Sequence, residues 1–400
     1  MLDGLGRVDA RAESFTGVQI DSRRIAPGDL FVAVGRGSEF LGDALARGAA
    51  GTLVSDDPFE ALARIGRAVR ESSSARIVAI TGSMGKTSTK DILAALCAPS
   101  AVTIAAEASY NNEIGVPLTL CRLETDTEVC ILELAMRGFG QIAELSEIAR
   151  PEIGVVTNVG PVHLELVESL GGVLRAKGEL VTALPPGGTA VVPADFPVGR
   201  EDIDVVRIGP PDVQVVGDRA LIGGVSFNFR ARHQAQNAAT ALAALDALGL
   251  PRPASVDVDF SRWRGEESEL PGGGLLINDA YNANPVSMRA ALAYFSERAG
   301  GRRRVAILGD MAELGRDAPD YHREVGEVAA ELGVDALFAV GELARGYLDS
   351  GVPGRWVPNV GEALRELDEL VRPGDAVLVK ASRAIGLEAV AAALTRVPVR

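Results

Sequence analysis

Apolar positions in this chain fall into short runs separated by stretches with helical spacing, and the texture changes twice. In residues 1–75 the segment Asp29-Leu30-Phe31-Val32-Ala33-Val34 is followed by a helix-like stretch ending in Arg47-Gly48-Ala49-Ala50 and by a second strand-like run, Thr52-Leu53-Val54. This predicts a small α/β module, closed by the polar Glu71-Ser72-Ser73-Ser74. From residue 76 a strong alternation begins. Ile77-Val78-Ala79-Ile80 is wholly apolar, as a strand covered on both faces of a parallel sheet must be, and a Gly-containing turn and a helix over 90–97 follow. Further strands are predicted at 129–135, 153–159 and near 189–192, helices at 141–149 and 234–248, and strands with turns in the Pro/Gly-rich 185–224. Prolines and charge interrupt the pattern near 251–259. Beyond them strands are predicted at 275–280, 305–309, 336–340 and 376–379, each followed by helical sequence. The expectation is an α/β protein of three domains: a small N-terminal α/β module (1–75), a central domain with a mostly parallel sheet (76–258) and a doubly wound, Rossmann-like C-terminal domain (259–400).

Composition narrows the function classes. Lys and Arg total 40 against 54 Asp and Glu, a formal charge of −14 over 400 residues. No broad positive field exists to collect polyanions, which argues against a general binder of nucleic acid or anionic membrane. The length suits two or three domains at roughly 150 residues each. No apolar run approaches the ~20 residues of a membrane helix, and the start Met1-Leu2-Asp3 lacks a basic leader region, so the chain reads as cytoplasmic. Cys97, Cys121 and Cys130 have neither even number nor metal-type spacing. Only four basic residues are lysines, Lys86, Lys90, Lys177 and Lys380, in a chain that otherwise writes Arg. Each is a candidate for chemistry a guanidinium cannot perform, such as giving up a proton. His163, His233 and His322 are equally scarce.

The segment Thr81-Gly82-Ser83-Met84-Gly85-Lys86-Thr87-Ser88 stands between the strand at 77–80 and the following helix. That is the setting of a P-loop: backbone N–H groups and the helix N-terminus wrap phosphates, Lys86 reaches the β/γ-phosphates and Thr87 offers a hydroxyl to Mg²⁺. Ile80 occupies the place of the usual first glycine, so Gly82 opens a tighter loop. The central domain is therefore expected to be a P-loop ATPase. Lys90, one turn beyond Lys86, is expected to be a solvated or substrate-facing helix residue.

Two further segments, Asn111-Asn112-Glu113-Ile114-Gly115-Val116-Pro117-Leu118-Thr119 and Asp279-Ala280-Tyr281-Asn282-Ala283-Asn284-Pro285, resemble signatures of the Mur ligases that build peptidoglycan precursors. The second, continuing through Ser287-Met288, is similar to the branch that joins D-alanyl-D-alanine to UDP-N-acetylmuramoyl-tripeptide. Asp21-Ser22-Arg23 and Gly28-Asp29-Leu30-Phe31 match the family's N-terminal module. Leu308-Gly309-Asp310-Met311-Ala312-Glu313-Leu314-Gly315 and Lys380-Ala381-Ser382-Arg383 match its C-terminal one, so the resemblance covers nearly the whole chain.

The resemblance implies that residues 1–75 bind the UDP end of one substrate, 76–258 bind ATP and 259–400 bind the incoming dipeptide. It implies that ATP phosphorylates a carboxylate, an amine attacks the acyl phosphate, and phosphate leaves as an amide forms. ATP and two Mg²⁺ ions would serve as cofactors, and UDP-N-acetylmuramoyl-tripeptide and D-alanyl-D-alanine as small-molecule partners of a monomer. Bringing two anions together falls to cations and metals.

Residue by residue, Glu133 matches the ligand that with Thr87 holds the ion at the β/γ-phosphates, and His163 resembles the ligand of a second ion. Lys177 matches the lysine that the family carbamylates; a neutral amine can add CO₂ and help bind the second Mg²⁺, which arginine cannot. With Lys86 these form the expected catalytic set. Gly82, Ser83, Gly85, Lys86, Thr87, Ser88 and Asn112 fall at the ATP phosphates. His233 and Asn237 resemble the family's H-N-x-x-N-A pattern, with Gln234 in place of the first Asn and Asn237 implied at the adenine. Asp279, Tyr281 and Asn282 match residues that close over the nucleotide, and Ser22 and Arg23 fall at the N-terminal substrate end. Lys380, Ser382 and Arg383 match binders of the dipeptide carboxylate or of phosphate.

There are departures. The family's Gly-Arg at the entrance to the third domain is reordered as Arg262-Trp263-Arg264-Gly265, so either Arg264 or Arg262 takes the arginine's place at ATP. Gly35-Arg36-Gly37-Ser38-Glu39-Phe40 lacks the usual Asp-Gly-His turn. The rivals are a diamino-acid-adding ligase, whose diaminopimelate-using members carry a D-N-P-R segment not found here, and a folylpolyglutamate synthase-like ligase. From another class, a silent nucleotide-binding protein is opposed by intact Lys86, Glu133, His163 and Lys177. His322, among Asp320, Arg323 and Glu324, is expected on a solvated helix face.

Overall fold

The computed structural model describes residue 2 and residues 4–396; Met1 and Asp3, which carry the reading of the chain start, lie outside the described residues. The chain forms two compact units: Met1–Asn158 with Arg175–Arg230 and Gln234–Asp259, and Val159–Leu174 with Ala231–His233 and Phe260–Arg400. Among the described residues no helix is long and apolar enough to cross a membrane.

The first unit contains three sheets. One has the order Arg7–Ala10, Gly51–Val54, Asp29–Val32, Gly17–Gln19, with only the first pair antiparallel. The helix Pro58–Ser72 follows it: Asp57 caps the helix by accepting from the Phe59 and Glu60 N–H groups, and Pro58 supplies a preset φ. The polar stretch at 71–74 is thus the end of this helix. Its Ala61, Leu62 and Ile65 pack with Leu30, Val32 and Leu53 of the sheet and with Leu118 and Cys121, in a single apolar cluster. Gly66 permits that closeness, since a Cβ there would lie 2.9 Å from the Pro117 Cα.

The main sheet is parallel throughout, in the order Asp204–Ile208, Thr189–Pro193, Ile153–Val156, Arg76–Thr81, Val129–Glu133, Thr103–Ala105. Its central strands are buried apolar runs, as parallel pairing covered on both faces requires. Of the two edge strands, Thr103–Ala105 has only three residues and falls outside the predicted elements, whereas Asp204–Ile208, mostly exposed, lies in the stretch 185–224 expected to hold strands and turns. The third sheet, Val213–Val216, Arg219–Ile222, Val225–Phe227 and Ser255–Val256, fills the Pro/Gly-rich region with two hairpins and one parallel pair.

Lys90 departs from expectation. It is 3% exposed. Its ammonium donates to the Ala106 carbonyl at 2.7 Å and lies 3.0 Å from the Asp91 carboxylate, so it fastens the helix Lys86–Cys97 to the strand end beneath it instead of facing solvent or substrate.

The second unit is built on the sheet Glu266–Leu270, Gly274–Asn278, Ala376–Lys380, Arg304–Gly309, Ala336–Val340, Gly354–Val357, antiparallel only at its first pair. Apolar clusters cover both faces, one around Phe295, Met288 and Tyr347 and the other around Phe338, Val377 and Leu387. The chain leaves Gly274–Asn278 and Arg304–Gly309 on either side of Ala376–Lys380, a reversal of strand order of the kind that opens a crevice at carboxyl ends. His322 is also corrected. It is fully buried in the helix Ala318–Glu331, accepts from the Met311 N–H at 3.0 Å through Nε2 and meets the Ala318 carbonyl at 2.6 Å through Nδ1. The surrounding charges lie on the helix's outer side; the ring packs, tilted, with its centroid 5.0 Å from that of buried Tyr347.

Candidate active site

The phosphate loop owes its shape to two glycines. Gly82 has φ +144°, and a Cβ there would lie 1.9 Å from the Thr157 hydroxyl oxygen. Gly85, at φ +76°, starts the helix Lys86–Cys97, and a Cβ there would come within 2.3 Å of Asn237 Oδ1. Neither position admits another residue without movement. Two polar residues that sequence reasoning missed, Thr157 and Asn158, pin the loop from the end of the strand Ile153–Val156. Asn158 Oδ1 accepts from the Met84 N–H at 3.0 Å, and the Thr157 hydroxyl donates to the Met84 carbonyl at 2.5 Å. Polar residues just past a strand carry no periodic signal of their own. Lys86 curls back, its ammonium donating to the Gly82 carbonyl at 2.9 Å. Ser83 and Ser88 are buried beside it.

Beneath the loop lies the candidate metal end. Glu133, the last residue of its strand, is 1% exposed. Its Oε2 accepts from the Thr87 hydroxyl at 2.7 Å and its Oε1 from the Asn111 amide at 2.8 Å. A buried carboxylate held by two neutral donors still needs a countercharge. Hard oxygen donors beside a phosphate-binding loop fit Mg²⁺. Among the described residues no group of three or more His, Cys, Asp or Glu gathers to hold a metal, so a cation here would draw on Thr87, Glu133 and phosphate oxygens. Asn112, expected at the phosphates, accepts through Oδ1 from the Ile114 and Gly115 N–H groups at 3.3 and 3.0 Å, in the turn that leads into the helix Gly115–Leu120. Its neighbour Asn111 is the one that reaches Glu133.

Lys177 lies in the helix Leu170–Thr182 and is 1% exposed. Burial first, and then the Lys86 ammonium, press its amine well below the usual lysine range, against the opposing pull of Glu133 and Glu179. The protein thus favours a neutral, nucleophilic amine at this position. Glu179 accepts from the Gly140 and Ala143 N–H groups at 2.7 and 3.2 Å, which fixes the start of the helix Gln141–Ala149. Asn237 and Gln234 bond one another at 2.9 Å, so the two amides form a pair against Gly85. The His233 side chain lies outside the described residues.

At the N-terminal end, Asp21 caps the 3₁₀ turn Ser22–Arg24 and chelates Arg23 at 2.9 and 2.7 Å. The Arg23 hydrogen bonds hold the Asp21 carboxyl down at about 2. Ser22 is buried while Arg23 is exposed. Arg24, not singled out from sequence, reaches Glu107 at 2.7 Å and the Tyr110 hydroxyl at 3.0 Å.

In the second unit, Lys380 is 2% exposed and donates to Asp279 at 2.6 Å and to the Asn282 carbonyl at 2.8 Å, tying two strand ends together. The Asn282 side chain accepts from the Ala283 N–H at 2.8 Å. Ser382 accepts from the Ala312 N–H at 2.9 Å. Arg383 pairs with Glu388 and lies 4.4 Å over the Trp263 ring. Of the two alternative arginines, Arg264 stacks at 4.1 Å on Tyr281 with its Nε buried and unpartnered, and Arg262 is exposed. His163 pairs through Nδ1 with Glu313 at 2.5 Å.

The chain is similar to known proteins over nearly its whole length. The description "Mur ligase middle domain" fits residues 80–220 and "Mur ligase, glutamate ligase domain" fits residues 264–383. The UDP-N-acetylmuramoyl-tripeptide–D-alanyl-D-alanine ligase of Synechocystis sp. is 33% identical over 96% of this chain and 87% of its own. Its namesake from Mycobacterium tuberculosis strain H37Rv is 35% identical over 96% and 93%. Among solved structures, MurF from Acinetobacter baumannii superposes with a TM-score of 0.84 at 28% identity, covering 95% of this chain and 93% of that one. MurF from Thermotoga maritima in complex with ADP gives 0.79 at 25% identity, covering 94% and 96%. The phosphate loop, the Thr87–Glu133 pair and the doubly wound second unit therefore have a common source: the chain belongs to the Mur ligase family of ATP-dependent ligases that form carbon–nitrogen bonds.

Proposed function

We propose that this enzyme joins D-alanyl-D-alanine to UDP-N-acetylmuramoyl-tripeptide through an acyl phosphate, in peptidoglycan precursor synthesis. The observation that carries the chemistry is the buried Thr87–Glu133 pair under a loop shaped for phosphates. The relatives' names carry the substrate. In this reading residues 76–258 bind ATP, 1–75 receive the UDP end through Ser22 and Arg23, and 259–400 receive the dipeptide.

The residues divide the work. The N–H groups of Gly82 and Gly85, with Ser83 of the loop and Ser88 in the first turn of the helix Lys86–Cys97, cradle the phosphates. Lys86 leaves the Gly82 carbonyl for the γ-phosphate and offsets charge as the phosphoryl group moves to the carboxylate. Thr87 and Glu133 would hold one Mg²⁺, and His163 and Lys177, the latter once carbamylated on its amine, would serve a second. Bound Mg²⁺ lowers the repulsion between phosphate and carboxylate oxygens. Asn111 keeps the Glu133 carboxylate in one orientation. Asn112, Asn237 and His233 serve the nucleotide side. Arg264 on Tyr281, with Asp279 and Asn282, closes over the nucleotide. Arg383 and Ser382 take the dipeptide carboxylate, and Lys380 holds that pocket's walls together. The enzyme works as a monomer.

Phosphate release from ATP that requires both UDP-muramoyl-tripeptide and D-alanyl-D-alanine is the expected result. Turnover supported by a single free amino acid in place of the dipeptide would overturn the assignment.

A further inference from the structure

His163 and Glu313 stand 150 positions apart, yet Nδ1 of one meets Oε2 of the other at 2.5 Å. Each holds a left-handed backbone, φ +53° and φ +63°. Such conformations are strained for a non-glycine residue and persist where the surroundings over-determine them. Here two of them face each other through their side chains.

The segment that carries Glu313 is fastened from below. The Ser382 N–H donates to the Asp310 carbonyl at 3.1 Å, the Met311 N–H to His322 Nε2 at 3.0 Å, and the Ala312 N–H to the Ser382 hydroxyl at 2.9 Å. Asp310 accepts from the Ala344 N–H at 2.6 Å. His322 is itself set, because the Ala318 carbonyl only accepts and so Nδ1 must carry the hydrogen, which leaves Nε2 as acceptor. Glu313 is therefore presented by a loop whose preceding three residues are all bonded into the fold.

The same reasoning applies to His163. A carboxylate accepts, so the bond to Glu313 places a hydrogen on Nδ1, and in the neutral ring the lone pair is then on Nε2. A quarter of the His163 side chain stays exposed. We infer that Glu313 is a positioning residue: it fixes the tautomer and ring orientation of His163 so that Nε2 is the nitrogen offered to a divalent cation. This rests on the proposed role of His163 as a ligand. A carboxylate behind a ligating imidazole both orients it and raises its basicity.

Mn²⁺ binding, followed by electron paramagnetic resonance in the presence of a non-hydrolysable ATP analogue, tests the inference on the full-length enzyme. Glu313→Ala should weaken one of two Mn²⁺ sites by about 10- to 100-fold and leave the other intact. Glu313→Gln, which retains an acceptor, should recover most of that loss. Nitrogen chemical shifts of His163 should show the Nδ1–H tautomer in the wild type and a mixture in Glu313→Ala. If His163→Ala removes the site while Glu313→Ala leaves affinity and tautomer unchanged, the positioning role is overturned. If His163→Ala leaves both sites intact, the ligand role of His163 fails, and this inference with it.

Discussion

The hydroxyl of Thr87 donates to Oε2 of Glu133 at 2.7 Å, linking the first turn after the phosphate loop to the end of the neighbouring parallel strand. Loop and carboxylate are thereby set as one piece before any nucleotide arrives. Glu133→Gln keeps the size and one hydrogen bond but loses the charge. It should lower kcat/KM for ATP by about 100-fold or more, the consequence of losing several kcal/mol of charge stabilisation. Asn111→Ala, which frees one carboxylate oxygen, should cost about tenfold and raise the Mg²⁺ requirement. Steady-state rates over a Mg²⁺ titration separate the two.

Lys177→Ala should abolish ligation. A short carboxylate added to the buffer should restore part of it by standing in for the carbamate, and removing dissolved CO₂ from the wild type should lower activity reversibly. Full activity of Lys177→Ala would show that no carbamate is needed.

Lys90 is structural. Lys90→Met removes a buried cation from the partly buried Asp91 and from the Ala106 carbonyl, a change expected to cost about 2–4 kcal/mol. Denaturant unfolding should show the loss, with KM for ATP unchanged in the folded fraction. Lys90→Arg should also destabilise, by about 1–3 kcal/mol, because a larger head group must enter a packed site.

His322 gives stability a pH dependence. Burial lowers its imidazole below the ordinary value of 6.5, outweighing the opposing effects of the Ala318 carbonyl and Asp310. The unfolded chain then binds the proton more readily than the folded one, so stability rises with pH in that window. The contribution is complete above 6.5 and is lost as pH falls toward the lowered value. Melting temperatures between pH 7.5 and 5 should fall more steeply for the wild type than for His322→Gln.

The sequence made legible what depends on local order. Gly82, Lys86 and Glu133 follow or end strands whose apolar runs are unmistakable, so their place at sheet ends could be read directly. Lys90 and His322 could not. Each sits among polar neighbours at helical spacing, and burial came from elements far along the chain, 103–108 for one and 309–311 with Tyr347 for the other. Asn111 and Asn112 differ by one position, and only the fold decides which reaches Glu133. Thr157 and Asn158 matter because they fall opposite Gly82 and Met84, a pairing set by strand order. The strand Thr103–Ala105 escaped because three residues are too few to show an alternation.

The lysine deficit has a practical side. Lys90, Lys177 and Lys380 are all within 3% of complete burial, and only Lys86 is partly open. The three thiols are buried, and burial lifts each to about 12. To amine- and thiol-directed reagents the folded protein is nearly silent. Of its lysines an amine-directed label meets Lys86 alone, and bound nucleotide should shield it. A cysteine introduced on the surface would likewise be the one reactive thiol, so paired dyes could follow the two units through a catalytic cycle against an unlabelled background.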